Sequence, residues 1–403
     1  MGIKTLRRIN PWWSDSPDIH VQLWERQKYK WIPEWTKEIS LEPFSLNFIV
    51  GPRQVGKTTG IKLLIAELLR KTPPESIVYI NCEIFPDFVS LRKLLEEYLE
   101  FKKNEGIDTS YIFLDEVTSL KEWWKAVKVL IDSGELLNDV VTATGSSSLK
   151  IRGDIELFPG RTGKGKTIEV LPLSFKQYVR VHGIRRYKLQ YDEVLRLFEK
   201  YLETGGFPSS INELPLDSIL NAFVGEFIRF RKSLEISKEV LASLISKIPS
   251  AMSYRAIASE TSGYSYKIVQ EYLEFFRDLY MIGIAYLKSN KVYYRKEKKF
   301  FFRDPLLLRL FAFWSGAKFV ESAIYESVVQ EHLYRRFGEI YYFKNNYEID
   351  CIAGDLKVEV KARKPHRKYP RNVVILSEED LPEFLIELEK DSNLSFSIKE
   401  IGR

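Results

Sequence analysis

The chain has little sulfur and little histidine. Two cysteines, Cys82 and Cys351, and four histidines, His20, His182, His332 and His366, occur in 403 residues. Two thiols exclude a disulfide framework, and scattered histidines without ligand spacing exclude a zinc site. The four histidines read as ordinary surface or core residues. Low cysteine use suits a reducing compartment, so a cytoplasmic location is expected. No uninterrupted apolar run approaches ~18 residues, so no membrane span is expected. The start, MGIKTLRRINPWW, is basic but lacks the apolar stretch of a secretory signal. Internal repeats and low-complexity linkers are missing too. The Pro- and Gly-bearing breaks near 205–216 and 304–305 read as element boundaries.

What is present is a globular composition: 45% apolar, 29% charged and rich in aromatics, at a length that predicts two or three domains. Net charge is +6, mild enough to permit a nucleic-acid partner without requiring one.

Residues Gly51-Pro52-Arg53-Gln54-Val55-Gly56-Lys57-Thr58-Thr59 have the spacing of a phosphate loop, G-x-x-x-x-G-K-[ST]. Glycines let backbone N–H groups approach a triphosphate closely. Lys57 would place a cation on the β- and γ-phosphates, and the Thr58 hydroxyl would ligate Mg²⁺. The apolar run 46–50 reads as a buried strand before the loop, and Thr59 onward as a helix after it. That order turns a helix N-terminus toward the phosphates. A second apolar strand, Tyr111 to Leu114, ends in Asp115 and Glu116. Carboxylates at the C-terminal end of a parallel strand converge on the ligand crevice. Asp115 would hold the metal shell and Glu116 would orient or deprotonate the attacking water. A third strand, from Val140, ends in Gly145-Ser146-Ser147-Ser148, where a hydroxyl senses the γ-phosphate or an ordinary serine turn stands. Arg161 is read either as a transition-state cation or as a surface arginine.

GPRQVGKTT, YIFLDEV, TGSSS, GR, PLSF and the Gly205-Gly206-Phe207-Pro208 segment occur in one order. The chain thereby resembles the prokaryotic AAA-type ATPases of the AAA+ and STAND-like group that are common in archaea. The resemblance implies ATP or ADP as ligand with Mg²⁺, Ser146 as sensor 1, and a helical lid in which Pro208 lies close to the adenine. Asn10-Pro11-Trp12-Trp13 is similar to the N-terminal signature of archaeal members.

Residues 240–303 read as a winged helix-turn-helix. A short helix, 240–247, precedes one capped by Ser253, a Ser262-Gly263 turn, and a longer helix over 266–279 capped by Ser265. Strands 282–287 and 291–294 follow, with Lys288, Lys291, Arg295, Lys296, Lys298, Lys299 and Arg303 against the single acid Glu297. On DNA, Tyr264, Ser265, Tyr266, Lys267 and Gln270 would face the groove and the wing lysines the phosphates. Glu271 and Glu274 on the same helix argue against this, and such modules also contact proteins.

A second chemical pattern lies near the C-terminus. Strand 347–353 carries Asp350, Gly354-Asp355 turns the chain, and strand 356–361 carries Glu359 and Lys361 two apart, on one sheet face. Pairing brings Asp350 to that face. Two carboxylates and an ammonium so placed can bind Mg²⁺ and activate water against a phosphodiester. Glu326, on an amphipathic helix over 323–333, is a further candidate metal ligand. The other reading is a solvated hairpin of alternating charge. The strands resemble the restriction-endonuclease-like PD-(D/E)XK core, with Ile349 where proline is usual, and the domain of unknown function 4143 that accompanies these ATPases. A second basic run follows: Arg363, Lys364, His366, Arg367, Lys368 and Arg371.

The expected fold class is therefore α/β and multidomain. A P-loop parallel sheet (1–175) is followed by a helical lid (176–235), a winged helix (236–303) and a restriction-endonuclease-like domain (304–403). The expected activity is Mg²⁺-dependent ATP hydrolysis coupled to DNA binding or cleavage by the C-terminal half. The alternative is a STAND-like switch that binds protein partners through an inactive nuclease-like domain. A trans-acting Arg161 would require a homo-oligomer.

Overall fold

The computed structural model describes residues 2–146, 153–361, 370 and 372–389. Ser147, Ser148 and the second basic run (Arg363, Lys364, His366, Arg367, Lys368 and Arg371) lie outside the described residues. The chain divides into two compact units, Met1–Leu171 and Pro172–Arg403.

The first unit is built on five strands: β1 (Ser45–Val50), β2 (Ile77–Asn81), β3 (Tyr111–Asp115), β4 (Val140–Gly145) and β5 (Thr167–Glu169). Their order is β2-β3-β4-β1-β5 and every pairing is parallel. β1 and β4 are buried along their whole length, as continuous apolar strands covered on both faces should be. Helices α1 (Ile3–Ile9), α2 (Ile19–Glu25), α3 (Lys57–Leu68), α4 (Phe88–Asn104) and α5 (Trp123–Asp132) complete the unit. α3 begins at Lys57, two residues before the start suggested by periodicity. Gly56, at φ 84°, ends the loop in the left-handed region, so loop geometry rather than the apolar pattern sets the first turn.

The N-terminal Asn-Pro-Trp-Trp segment has a definite place. Asn10 Oδ1 accepts the Tyr79 N–H at 2.7 Å, and the Trp12 and Trp13 indoles both donate to the Ile77 carbonyl, at 3.1 and 2.9 Å. Both backbone groups belong to β2, one of the two outer strands of the sheet.

The second unit holds α6 (Phe175–Val181), α7 (Tyr191–Thr204), α8 (Pro208–Ile211), α9 (Asp217–Arg229), α10 (Leu234–Lys247), α11 (Tyr254–Ala258) and α12 (Tyr266–Asp278). The hairpin β6 (Ile282–Lys288) and β7 (Val292–Phe302) follows, then α13 (Pro305–Ser315) and α14 (Ser322–Phe337). Strands β8 (Tyr341–Lys344), β9 (Glu348–Ala353), β10 (Leu356–Val360) and β11 (Val374–Leu376) lead to α15 (Leu381–Leu388). Ser253 and Ser265 cap α11 and α12 as their sequence positions predict.

The hairpin is where the structure departs most from the sequence reading. β7 runs on through Phe302, and β6 pairs in parallel with β8. The six strands form one mixed sheet, β11-β10-β9-β8-β6-β7, which crosses the division expected at 303/304. Lys298, Lys299 and Arg303, expected on a basic wing, are buried. The helix expected to be amphipathic, α14, is buried over most of its circumference from Ala323 to Leu333.

The Gly205-Gly206 pair serves packing within this unit. Gly205 has φ 64°, and a Cβ on Gly206 would lie 2.0 Å from the Leu173 carbonyl oxygen. The Gly206 N–H donates to Asp304 Oδ2 at 2.8 Å, while Asp304 Oδ1 accepts the Leu306 N–H and caps α13. Burial pushes the Asp304 carboxyl up to about 7, against the pull of those two N–H donors. Among the described residues, no helix is long and apolar enough to cross a membrane.

Candidate nucleotide site and a carboxylate cluster

Strand register brings the phosphate-loop residues to one edge of the first sheet. Val50 pairs with Gly145, so Gly51 and Ser146 leave β1 and β4 at the same level. Asp115 and Glu116 leave β3 one strand away. Lys57 is the first residue of α3 and is buried; its ammonium donates to the Gly51 and Pro52 carbonyls at 3.0 and 2.7 Å. The loop thus keeps a positive charge against its own backbone, beside the N–H groups of a helix start. Gln54 takes φ 67° to complete the turn, Val55 is fully buried beneath it, and Arg53 is close enough to Glu116 to favour its charge. Thr59 continues the first turn of α3 and is half-buried.

Asp115 is buried and held by hydroxyls. Thr58 Oγ1 and the Tyr79 phenol both donate to Oδ2 at 2.7 Å, and Thr144 Oγ1 donates to Oδ1. Glu116 takes φ 52°, a region that costs a non-glycine residue about 1–2 kcal/mol. Its N–H is tied to Thr144 Oγ1 at 3.1 Å, which helps fix that conformation. Burial raises the Glu116 carboxyl, Lys57 pulls it back and Asp115 pushes it further up. Its Oε2 is buried with no hydrogen-bond partner among the described residues. A hydroxyl–carboxylate oxygen pair beside an ammonium fits a magnesium–nucleotide, and an unpartnered carboxylate oxygen fits a group waiting for a water proton.

Tyr79 and Thr144 were not foreseen from the sequence. Tyr79 is level with Phe113 on the neighbouring strand, so its long side chain reaches Asp115 diagonally. Its ring lies 3.3 Å from the Lys62 ammonium, which is buried on α3 and paired with Asp18 at 3.0 Å. Burial lowers the Lys62 pKa, and Asp18 opposes that shift. Thr144 precedes the Gly145-Ser146 pair, and the register of β3 on β4, in which Leu114 faces Ala143, brings it beside Asp115.

Other expected site residues lie elsewhere. Arg161 donates to Asp132 from Nε at 2.5 Å and from Nη2 at 3.4 Å, and to the Pro159 carbonyl at 3.2 Å. Ser146 is buried at the end of β4. Pro208 opens α8 in the second unit.

The Asp350–Glu359–Lys361 group does come together. Lys361 Nζ donates to Glu359 Oε1 at 2.6 Å, Glu359 Oε2 accepts the Asp350 N–H at 3.2 Å, and Asp350 Oδ2 accepts the Val360 N–H at 3.1 Å. A residue the sequence placed on a basic wing joins them. Lys299 Nζ lies 2.7 Å from Asp350 Oδ1, 2.8 Å from Glu326 Oε1 and 2.9 Å from Glu348 Oε1. Burial disfavours its charge, but the carboxylates of Glu326, Asp350 and Glu348 outweigh that effect and hold its pKa well above the ordinary lysine value.

Residues 44–179 match a family model described as an AAA domain. That segment is similar to AAA domains. The match spans the phosphate loop, Asp115, Glu116 and Ser146 but ends before Pro208. An uncharacterized protein of Methanocaldococcus jannaschii is 26% identical over 341 residues, covering 78% of this chain and 73% of its own length. An uncharacterized protein of Haemophilus influenzae is 26% identical over 328 residues, covering 76% of this chain and 79% of its own. Among solved structures, the ORC2 protein of Aeropyrum pernix in ADPNP–ADP complexes aligns with a TM-score of 0.43 at 13% identity. It covers 68% of this chain and 88% of its own.

Proposed function

We propose that this protein is a Mg²⁺-dependent ATPase whose nucleotide state governs how its second unit engages DNA. The observation that carries the ATPase reading is the constellation around Asp115: Thr58 on one carboxylate oxygen, Thr144 on the other, and Glu116 beside it with an unpartnered oxygen. In this reading Gly51 to Thr59 cradle the phosphates and Lys57 leaves the loop carbonyls for the β- and γ-phosphates. Thr58 and Asp115 hold the metal shell. Bound Mg²⁺ supplies charge neutralisation across the transferred phosphoryl group. Glu116 takes up a proton from the attacking water, helped by the upward push that burial gives its carboxyl. Ser146 senses the γ-phosphate and Pro208 borders the adenine. Arg161 acts on the transition state only by leaving Asp132, within one chain or from a second copy in a homo-oligomer.

The DNA assignment is supported by what remains exposed. Tyr266 and Lys267 at the start of α12, Lys291 in the hairpin turn, and Arg295 and Lys296 on β7 face solvent. Glu271, expected to repel phosphate, is paired with Lys232 at 2.5 Å, and Glu274 accepts from Gln270 at 2.8 Å. The switch reading, in which the second unit binds a protein, is favoured by one observation. Lys298, Lys299 and Arg303 are buried, so the hairpin shows fewer cations than its sequence carries.

A gel-shift with duplex DNA across a salt series, with and without ATP, tests the choice. Binding that weakens steeply with salt and responds to ATP in wild type but not in Lys57→Ala is expected. Salt-insensitive or absent binding, with tightly retained ADP, would establish the switch instead.

A further inference from the structure

The carboxylate cluster of the second unit already contains a cation. Glu326 comes from α14, Glu348 and Asp350 from β9, and all three present an oxygen within 2.9 Å of Lys299 Nζ. Lys299 is only 2% exposed, and its partners Glu326 and Asp350 are buried with it, while Glu348 reaches the surface with its side chain 38% exposed. Its ammonium has three N–H donors, matched here by three carboxylate partners. The remaining members are also engaged: Glu359 with Lys361 and the Asp350 N–H, and Glu326 Oε1 with Gln330 Nε2 at 3.2 Å as well as with Lys299.

A divalent ion in this place would need the same oxygens. Mg²⁺ binds oxygen at about 2.0–2.1 Å and demands near-octahedral geometry. The space between Asp350, Glu326 and Glu348 holds the ammonium, and two cations cannot share those oxygens without strong mutual repulsion. Among the described residues, no group of three or more His, Cys, Asp or Glu side chains is arranged to hold a metal ion. The residues therefore do not fit the metal that the nuclease-like pattern implies.

We infer that Lys299 is the resident counter-ion of this cluster and closes it to divalent metal, so that the second unit acts by binding and not by metal-dependent phosphodiester cleavage. Lys299 lies on β7, while its partners lie on α14 and β9. The same contact therefore ties the hairpin to the strands that carry the nuclease-like residues. This inference does not depend on whether the partner is nucleic acid or protein.

The test is Mn²⁺ titration of the nucleotide-free full chain, followed by the free-ion electron paramagnetic resonance signal. Wild type and Asp350→Asn should titrate alike. A Mn²⁺ site in wild type that Asp350→Asn removes would overturn the inference. Lys299→Met, if folded, should gain one site per chain, at least about tenfold tighter than any in wild type. A folded variant without that gain would also overturn it. Should either variant fail to fold, native-state lysine acetylation of wild type, read by mass spectrometry, decides. Lys299 should stay unmodified with and without millimolar Mn²⁺, and Mn²⁺-dependent labelling would show that metal displaces it. DNA binding in EDTA is read separately by gel-shift, so loss of the nucleic-acid reading leaves the metal result intact.

Discussion

At the residue scale, Asp115 shows how a carboxylate is aimed. Three hydroxyls, from Thr58, Tyr79 and Thr144, converge on it inside the first unit. Hydrogen bonds to a charged group are each worth about 1.5–3 kcal/mol. Tyr79→Phe should therefore lower stability by about that amount in urea unfolding. It should also raise the Mg²⁺ concentration needed for half-maximal ATPase activity, because the carboxylate is less firmly oriented. Unchanged Mg²⁺ dependence would leave Tyr79 a purely structural residue. Glu116→Gln separates binding from chemistry. A positioned general base contributes about 10²–10⁴-fold, so phosphate release should fall by that factor while fluorescent ADP still binds. A rate within about tenfold of wild type would remove Glu116 from the role.

At the scale of elements, helix α6 is held at its start by a histidine from α14. His332 Nε2 accepts the Phe175 N–H at 3.0 Å, and its Nδ1 faces the Val328 carbonyl at 2.8 Å, so the ring is neutral with its proton on Nδ1. Ser174 and Gln177 complete the start with a capping box. Burial, with the nearby Arg335 charge, pushes the His332 pKa down to about 3. A folded value below the unfolded one means that the unfolded chain binds the proton more readily. The contribution is thus fully present above about 6.5 and is lost progressively as pH falls toward 3. Between pH 7.5 and pH 5 the second unit should lose about 2 kcal/mol on this account, and His332→Leu should flatten that part of the profile in urea melts. The sequence places this histidine among ordinary core or surface residues, and its burial fits that. Its link to Phe175, 157 positions away, depends on tertiary packing and leaves no local pattern.

At the scale of the molecule, what could be read in advance was contiguous. The phosphate loop, the Asp115-Glu116 strand end and the serine caps at 253 and 265 are each fixed by neighbours in sequence. Sheet order is not. Nothing local says that β6 will lie beside β8, and so the hairpin read as a separate wing. The same gap hid Lys299, which resembles its basic neighbours until β9 and α14 close around it. Tyr79 was missed because its target lies on another strand. One further consequence belongs to the N-terminal segment. An outer strand with open N–H and C=O groups is a template on which another chain can add a strand. Asn10 takes the Tyr79 N–H, and Trp12 and Trp13 take the Ile77 carbonyl. By filling those two positions of β2 from its own sequence, the protein denies them to neighbouring copies and guards that flank of the sheet against runaway self-association.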